Sequence, residues 1–441
     1  MTATSPKIYQ RPVELLQKLL RFDTTNPPGN ERPLMEFLHE LMTSAGIEAR
    51  LLGLDPERPN LVARLPGDGQ APPLLLYGHA DVVTTTGQDW QHPPFEGRIV
   101  DGYIWGRGTL DMKGGLAMLI SAFLKAKAET LPLAGDLILA VVSDEEALGE
   151  YGAEYLVKQH PQLFEGVHYA LGEFGGFSLQ MGARRFYPIM IAEKQACWLR
   201  IRLQGPGGHA SSPIRGGAMA KLGRVLTRLD QTHLPVHITE PARLMVTALA
   251  DGLGGLPGLF LRQLLNPRLT DPILSLMGAR GQVFAPLFHN TVSPTIVRGG
   301  DKTNVIPSEI SLELDGRLLP GLQPQDLIGE LKQILGQELV FEITNYKPGP
   351  AQPDMGLFDL LADSLRRADP EGIPIPLLLS ATTDGRVFNQ LGIQTYGFLP
   401  MQLPPDFNFT ATVHAANERI PEAALQFGSD RIYDVLEHYG R

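Results

Sequence analysis

Histidines and carboxylates recur along this chain at the places where apolar runs give way to loops. The stretch LLLYGHADVV carries His79 and Asp81, RGTLDMKGG carries Asp111, and LILAVVSDEEALG carries Glu145 and Glu146. YALGEFGG follows with Glu173, and ATVHAANE with His414. Imidazole plus carboxylate, without thiolate, is the donor set of a catalytic zinc-type site rather than a structural one. The chemistry this implies is metal-assisted attack of water on a polarised bond.

Each element also has a plainer explanation. His79 and Asp81 are two apart, so on an extended strand they share a face, and Asp81 could fix the tautomer of a ligand imidazole. A surface pair would look the same. Asp111 precedes a helix and could turn both oxygens outward to bridge two cations, or simply cap that helix. Glu145 and Glu146 are neighbours at a strand end, where side chains diverge. One could reach a metal while the other faces its water; a solvated acidic turn is the alternative. The combination outweighs the alternatives, because spacings of about thirty residues correspond to one βα unit each. Successive groups then meet along one sheet edge.

The elements that must hold these groups are legible as periodic patterns. PVELLQKLLRF reads as an amphipathic helix with Leu15, Leu16, Leu19 and Leu20 on one face, and ERPLMEFLHELMTSA as a second helix stopping at Gly46. Strands are expected at NLVARL, PLLLY, DLILAVVS and HYALGE, alternating with helices from DMKGGLAMLISAFLKAKA and GEYGAEYLVKQH. This order predicts an α/β fold with a mostly parallel sheet covered by helices. Ligands in such sheets bind beyond the carboxyl ends of the strands.

From about Ala192 the order becomes βαββαβ, the pattern of a two-layer α+β module with a small antiparallel sheet. His414 must rejoin ligands from the first half, so the module reads as an insertion. The expected division is 1–191 and 348–441 for a split catalytic domain and 192–347 for the inserted one. Within the insertion, an apolar, Gly/Pro-punctuated stretch at about 237–289 reads as a helical excursion, or as a cover for apolar substrate groups.

Composition narrows the classes further. The 441 residues are 43% hydrophobic and 20% charged, with a net charge of −10. No cluster of Lys and Arg appears that could neutralise a nucleic-acid backbone, so no nucleic-acid partner is expected. Nothing reads as a signal peptide or membrane span, and no membrane association is expected. The lone Cys197 fits a reducing compartment, which points to the cytoplasm. GxSxG, GxxxxGK[ST], HExxH and a strand-following GxGxxG are all missing, which removes the commonest rival chemistries.

In order, GHADVV, WGRGTLDMKGG, SDEE, GE, GPGGHAS, KTNVIPSE, DGRLLPG, TTDGR and a final histidine resemble the M20 metallopeptidases. That group includes aminoacylases, acetylornithine deacetylase, succinyl-diaminopimelate desuccinylase and carboxypeptidases. The resemblance implies two divalent ions, zinc foremost, with cobalt or manganese as alternatives. His79, Asp111 and Glu173 would hold one ion, and Asp111, Glu146 and His414 the other. Asp81 would orient His79, and Glu145 would be general base and then general acid. The inserted module would act as lid and dimerisation domain, with His209 reaching the partner subunit's site to polarise the scissile carbonyl. Asn304, Arg317 and Arg386 match substrate-contacting positions, although Arg317 could instead pair with Asp315, Arg386 with Asp384, and Asn304 could cap a turn. The expected reaction is hydrolysis of the amide bond of a small peptide or N-acyl amino acid. A carboxypeptidase or dipeptidase, and a catalytically silent binding or scaffold relative, are the alternatives.

Overall fold

The computed structural model describes residues 6–441. It divides into two compact units. The first comprises residues up to 191 together with 354–377 and 383–441; the second comprises 192–353 and 378–382.

The first unit is built on a nine-stranded sheet. Its centre consists of the strands Leu137–Val142, Leu74–His79, Tyr169–Gly172 and Gln394–Gly397, paired in parallel in that order. On one side of them Asn60–Leu65 joins Leu137–Val142 antiparallel, and on the other Arg184–Glu193 meets Gln394–Gly397 antiparallel. The strands Leu74–His79 and Leu137–Val142 are buried at every position, as a parallel sheet covered on both faces requires. One face packs Leu75, Tyr77, Ile138 and Val142 against Leu156, Val157 and Phe388. The other meets the helix Lys113–Ala128. A Cβ on Gly78 would come within 2.3 Å of the Met112 methyl carbon and 2.9 Å of a Leu116 methyl, so the strand lies close against the start of this helix. That helix is buried almost all round, because the helices Pro12–Leu20 and Glu422–His438 also pack on it.

A three-stranded sheet of Arg98–Val100, Tyr103–Trp105 and Arg419–Pro421 lies outside the expected pattern. Its strands are three residues long, too short for alternation to register in sequence.

In the second unit, an antiparallel sheet runs in the order Thr291–Arg298, Glu309–Leu318, Gln195–Gln204, Phe341–Tyr346. The strand Glu309–Leu318 alternates strictly between buried and less buried positions, the mark of a one-sided sheet. Its buried side carries Leu312 and Leu314, which join Leu199, Ile201, Leu327 and Leu331 in one core. The 237–289 stretch is a set of helices, beginning with Glu240–Leu253 and ending with a 3-10 turn at Ala285–Leu287. A bridge between Val236 and His289 closes its stem. Among the described residues no helix is long and apolar enough to cross a membrane.

Candidate metal centre

The parallel register brings the ligand candidates of the first unit to one edge. His79 is the last residue of its strand and pairs with Val142. The neighbouring chain continues into a turn at Glu145–Ala147, and Glu173 directly follows Tyr169–Gly172. Asp111 precedes the helix Lys113–Ala128, and His414 follows a short helix at Phe409–Thr412.

Asp111 stands between the two histidines. Its Oδ1 lies 2.9 Å from His79 Nε2 and its Oδ2 lies 3.1 Å from His414 Nε2. His79 Nε2 is also 3.3 Å from Glu173 Oε2, and His414 Nε2 is 3.2 Å from Glu146 Oε1. Donor atoms of His79, Glu145 and Glu173, and of His79, Asp111 and Glu146, fall within 4.8 Å of one another. Proximity alone therefore leaves Glu145 open as a ligand, whereas the pairwise contacts distribute the other four around a shared Asp111.

The electrostatics favour positive charge at this spot. Asp111 and then Glu146 push the His414 imidazole up to about 10. Burial opposes protonation of His79, yet Asp111, Asp81 and Glu173 hold it well above its ordinary value. Burial would raise Asp111, but the two imidazoles keep it below the usual carboxylate range. Carboxylates that hold protons this firmly on two imidazoles form a donor set suited to divalent cations. Glu145 is pushed well above the carboxylate range by burial and then by the Glu173 charge.

Asp81 is fully buried just beyond the end of the strand, and both its carbonyl and its carboxylate face His79 Nδ1. The Asp81 carbonyl lies 3.0 Å from His79 Nδ1, nearer than its own carboxylate at 3.4 Å. The two carboxylate oxygens accept the backbone N–H groups of Glu145 and Glu146, each at 3.1 Å.

Arg386 lies in the same unit, with Nη1 3.8 Å from Glu145 Oε1. It donates to the carbonyls of Thr383 at 2.7 Å and Leu148 at 3.0 Å, which ties it to the turn carrying Glu145. Asp384 does not hydrogen-bond through its carboxylate, which is buried without such a partner among the described residues. Burial drives it up to about 7, against the pull of Arg386 and with a push from Glu173.

The remaining site candidates belong to the second unit. His209 is exposed, pairs with Val305 in a two-stranded ladder, and has Nδ1 2.7 Å from Ser211 Oγ. Asn304 is exposed at the end of that ladder, its carbonyl accepting from Ala210 N–H at 3.0 Å. Arg317 makes a two-pronged contact with Asp315 at 2.7 and 3.0 Å and reaches Thr382 Oγ1 at 3.2 Å.

Residues that sequence reasoning passes over also shape the centre. Asn26 bridges Asp81 and Asp144. Arg58 binds Asp144 at 2.8 Å and Glu31 through two nitrogens. Arg107 and Glu418 form a second buried pair. No local pattern in the sequence marks these residues as partners.

A twisted α/β sheet with imidazoles and carboxylates gathered beyond its parallel strands defines a metal-dependent hydrolase. Residues 75–438 match the model of Peptidase family M20/M25/M40; the chain belongs to that family. It is 29% identical over 371 residues to the probable carboxypeptidase S-like 2 of Dictyostelium discoideum, covering 80% of this chain and 69% of that one. Similarity to the human N-fatty-acyl-amino acid synthase/hydrolase PM20D1 is 28% over 383 residues, 84% of this chain and 75% of that one. Mouse aminoacylase-1 is 26% identical over 452 residues, 99% of this chain and 97% of the relative. Among solved structures, the M20 family metallo-carboxypeptidase Sso-CP2 from Sulfolobus solfataricus shares the fold at a TM-score of 0.69 and 18% identity, covering 98% and 99% of the two chains. A dinuclear metal-binding M20 peptidase from Bacillus subtilis does so at 0.61 and 12%, covering 98% of each.

Proposed function

We propose that the protein is a di-zinc amidohydrolase that cleaves the amide bond of an N-acyl amino acid. The observation that carries this reading is Asp111, with one oxygen facing His79 and the other facing His414. His79, Asp111 and Glu173 would hold one ion and Asp111, Glu146 and His414 the second, with Asp111 shared. Two imidazoles among carboxylates suit zinc, with cobalt and manganese as substitutes. Bound there, the cations supply Lewis acidity to the scissile carbonyl and acidify water.

The chain's own groups do the proton work. Glu145 accepts a proton as water oxygen attacks the carbonyl carbon, and returns it to the amine nitrogen as the C–N bond breaks. Asp81 holds the Glu145–Glu146 backbone in place through its two N–H contacts. Arg386, Arg317 and Asn304 are proposed to receive the substrate carboxylate, for which a guanidinium fork is matched. His209 is proposed to polarise the carbonyl from the partner subunit of a homodimer, with the second unit serving as lid. A cytoplasmic setting agrees with the single, buried Cys197.

Two relatives named for fatty-acyl-amino acid or acyl-amino acid chemistry favour an acyl substrate. The carboxypeptidase S-like relative supports a second reading, peptide cleavage from the carboxyl end. Leu256, Leu259 and Leu276 of the 237–289 helices are strongly exposed, which favours a bulky apolar substrate group. The test is a panel of acetyl-, succinyl- and long-acyl amino acids beside dipeptides. Long-acyl substrates should turn over fastest, chelation should abolish turnover, and zinc or cobalt should restore it. Dipeptides outpacing every acyl amino acid would establish the second reading. Protein that takes up metal but cleaves nothing in the panel would overturn the proposal, and protein that retains almost no metal would favour a scaffold role.

A further inference from the structure

Arg107 and Glu418 are fully buried and face each other at 2.5 Å between Nη1 and Oε2. Burying two charges costs several kcal/mol per ion unless hydrogen bonds occupy their remaining donors and acceptors. Here most of those bonds go to the backbone on either side of the metal centre and one to Gln88, while Arg107 Nε has no hydrogen-bond partner among the described residues. Glu418 Oε1 accepts N–H from Leu110 at 2.8 Å and from Asp111 at 3.3 Å. Arg107 Nη2 donates to the His414 carbonyl at 3.2 Å and to Gln88 Oε1 at 2.7 Å, and Nη1 donates to the Ala415 carbonyl at 3.3 Å. Gln88 in turn donates to the His414 carbonyl at 2.9 Å.

His414 needs such restraint. Its backbone φ is +61°, a left-handed conformation that costs a residue with a Cβ about 1–2 kcal/mol. Two side-chain donors converge on its carbonyl, while the carboxylate paired with one of them seats Asp111. The imidazole that meets Asp111 Oδ2 is therefore held from behind by the partner of the group that holds Asp111.

We propose that the Arg107–Glu418 pair, together with Gln88, is a positioning device that sets the affinity of the cation site formed by Asp111, Glu146 and His414. None of the three touches cation or substrate; they act by fixing how far His414 stands from Asp111. This rests on the dinuclear reading above. The selectivity lies with Gln88 and Arg107, whose bonds end on the His414 segment and leave His79 and Glu173 untouched.

The test titrates metal-free full-length protein with Zn²⁺ against a chromophoric chelator, and repeats it with Co²⁺ followed by its absorption spectrum. Wild type should take up two equivalents. Gln88→Leu removes one donor to His414 and the acceptor of Arg107. Arg107→Lys keeps the charge opposite Glu418 but lacks the fork that spans four acceptors. In both variants one equivalent should weaken about 10–100-fold, the usual cost of losing a partner behind a ligand, while the other stays unchanged. Gln88 is only partly buried, so it carries the test if Arg107→Lys does not fold. Two unchanged affinities in folded Gln88→Leu, or equal weakening of both, would overturn the inference. Fewer than two equivalents in wild type would overturn the dinuclear reading itself, and the inference with it.

Discussion

Asn26 donates its side-chain amide to Asp81 at 2.8 Å, across 55 residues of sequence. Asp81 thereby becomes a hub, because its oxygens also receive the N–H groups of Glu145 and Glu146. Neutralising it by Asp81→Asn would place an amide N–H₂ against one of these donors. We expect turnover to fall about 10–100-fold, as for other groups that orient metal ligands, with the far-ultraviolet circular dichroism unchanged. Asn26→Leu should act in the same direction more weakly, since it leaves the Asp81 carboxylate in place. Turnover equal to wild type in both variants would show that Asp81 does not set the Glu145–Glu146 backbone.

Glu145 and Glu146 are neighbours with different proposed roles, base and ligand, and substitution separates them. Glu145→Gln is expected to lower turnover by about 10²–10⁴-fold, the contribution of a positioned general base, and to retain both metal equivalents by elemental analysis. Glu146→Gln is expected to lose one equivalent, because Glu146 Oε1 faces His414 at 3.2 Å. A Glu145→Gln protein lacking metal would move Glu145 into the ligand set, as its proximity to His79 and Glu173 allows.

The two halves of the centre differ in how far sequence reveals them. His79, Glu145, Glu146 and Glu173 are readable because each ends or lies within four residues of the end of a buried apolar strand, and parallel pairing makes such ends coincide. The partners that steady them are not. Arg107 and Glu418 are 311 residues apart, and nothing in either neighbourhood distinguishes a buried ion pair from two surface charges. Asp81 is legible in part: two residues beyond His79, it brings its carboxylate to 3.4 Å from the imidazole Nδ1. Its hold on the Glu145 and Glu146 N–H groups has no counterpart in any local pattern. Arg317 illustrates a third case, where the plainer reading of the sequence, pairing with Asp315, describes the contact present without deciding what a substrate would displace.

The outer strand Thr291–Arg298 pairs with Glu309–Leu318 on one side, and Ile296 and Val297 are 45% and 51% exposed. An apolar unpaired edge is a template for a second copy. If the homodimer forms there, Val297→Lys should shift the mass measured by light scattering from dimer towards monomer. Mixing His209→Ala with Glu145→Ala protomers should then restore part of the activity, because each hybrid has one site with both groups intact. Exchange of subunits without recovery would place His209 outside the reaction of the partner subunit.

Lys194 offers a prediction about stability rather than catalysis. Its Nζ is buried against the His289 carbonyl and Thr291 Oγ1, both at 2.9 Å. Burial, with help from Arg317 and against Asp315, lowers it from 10.5 to about 7. Between these values the unfolded chain binds a proton that the folded chain does not, so folding stability rises with pH across that window. Below about 7 both states are protonated and the slope vanishes; above 10.5 neither is. The slope can reach about 1.4 kcal/mol per pH unit for one such proton. Other groups titrate over the same range, so the informative quantity is the difference between wild type and Lys194→Met in urea denaturation at pH 7 through 10.5. Lys194→Met removes the titrating amine and should flatten the rise, leaving the two proteins furthest apart in pH dependence within this window. Parallel curves for the two proteins would mean that Lys194 stays protonated in the folded state.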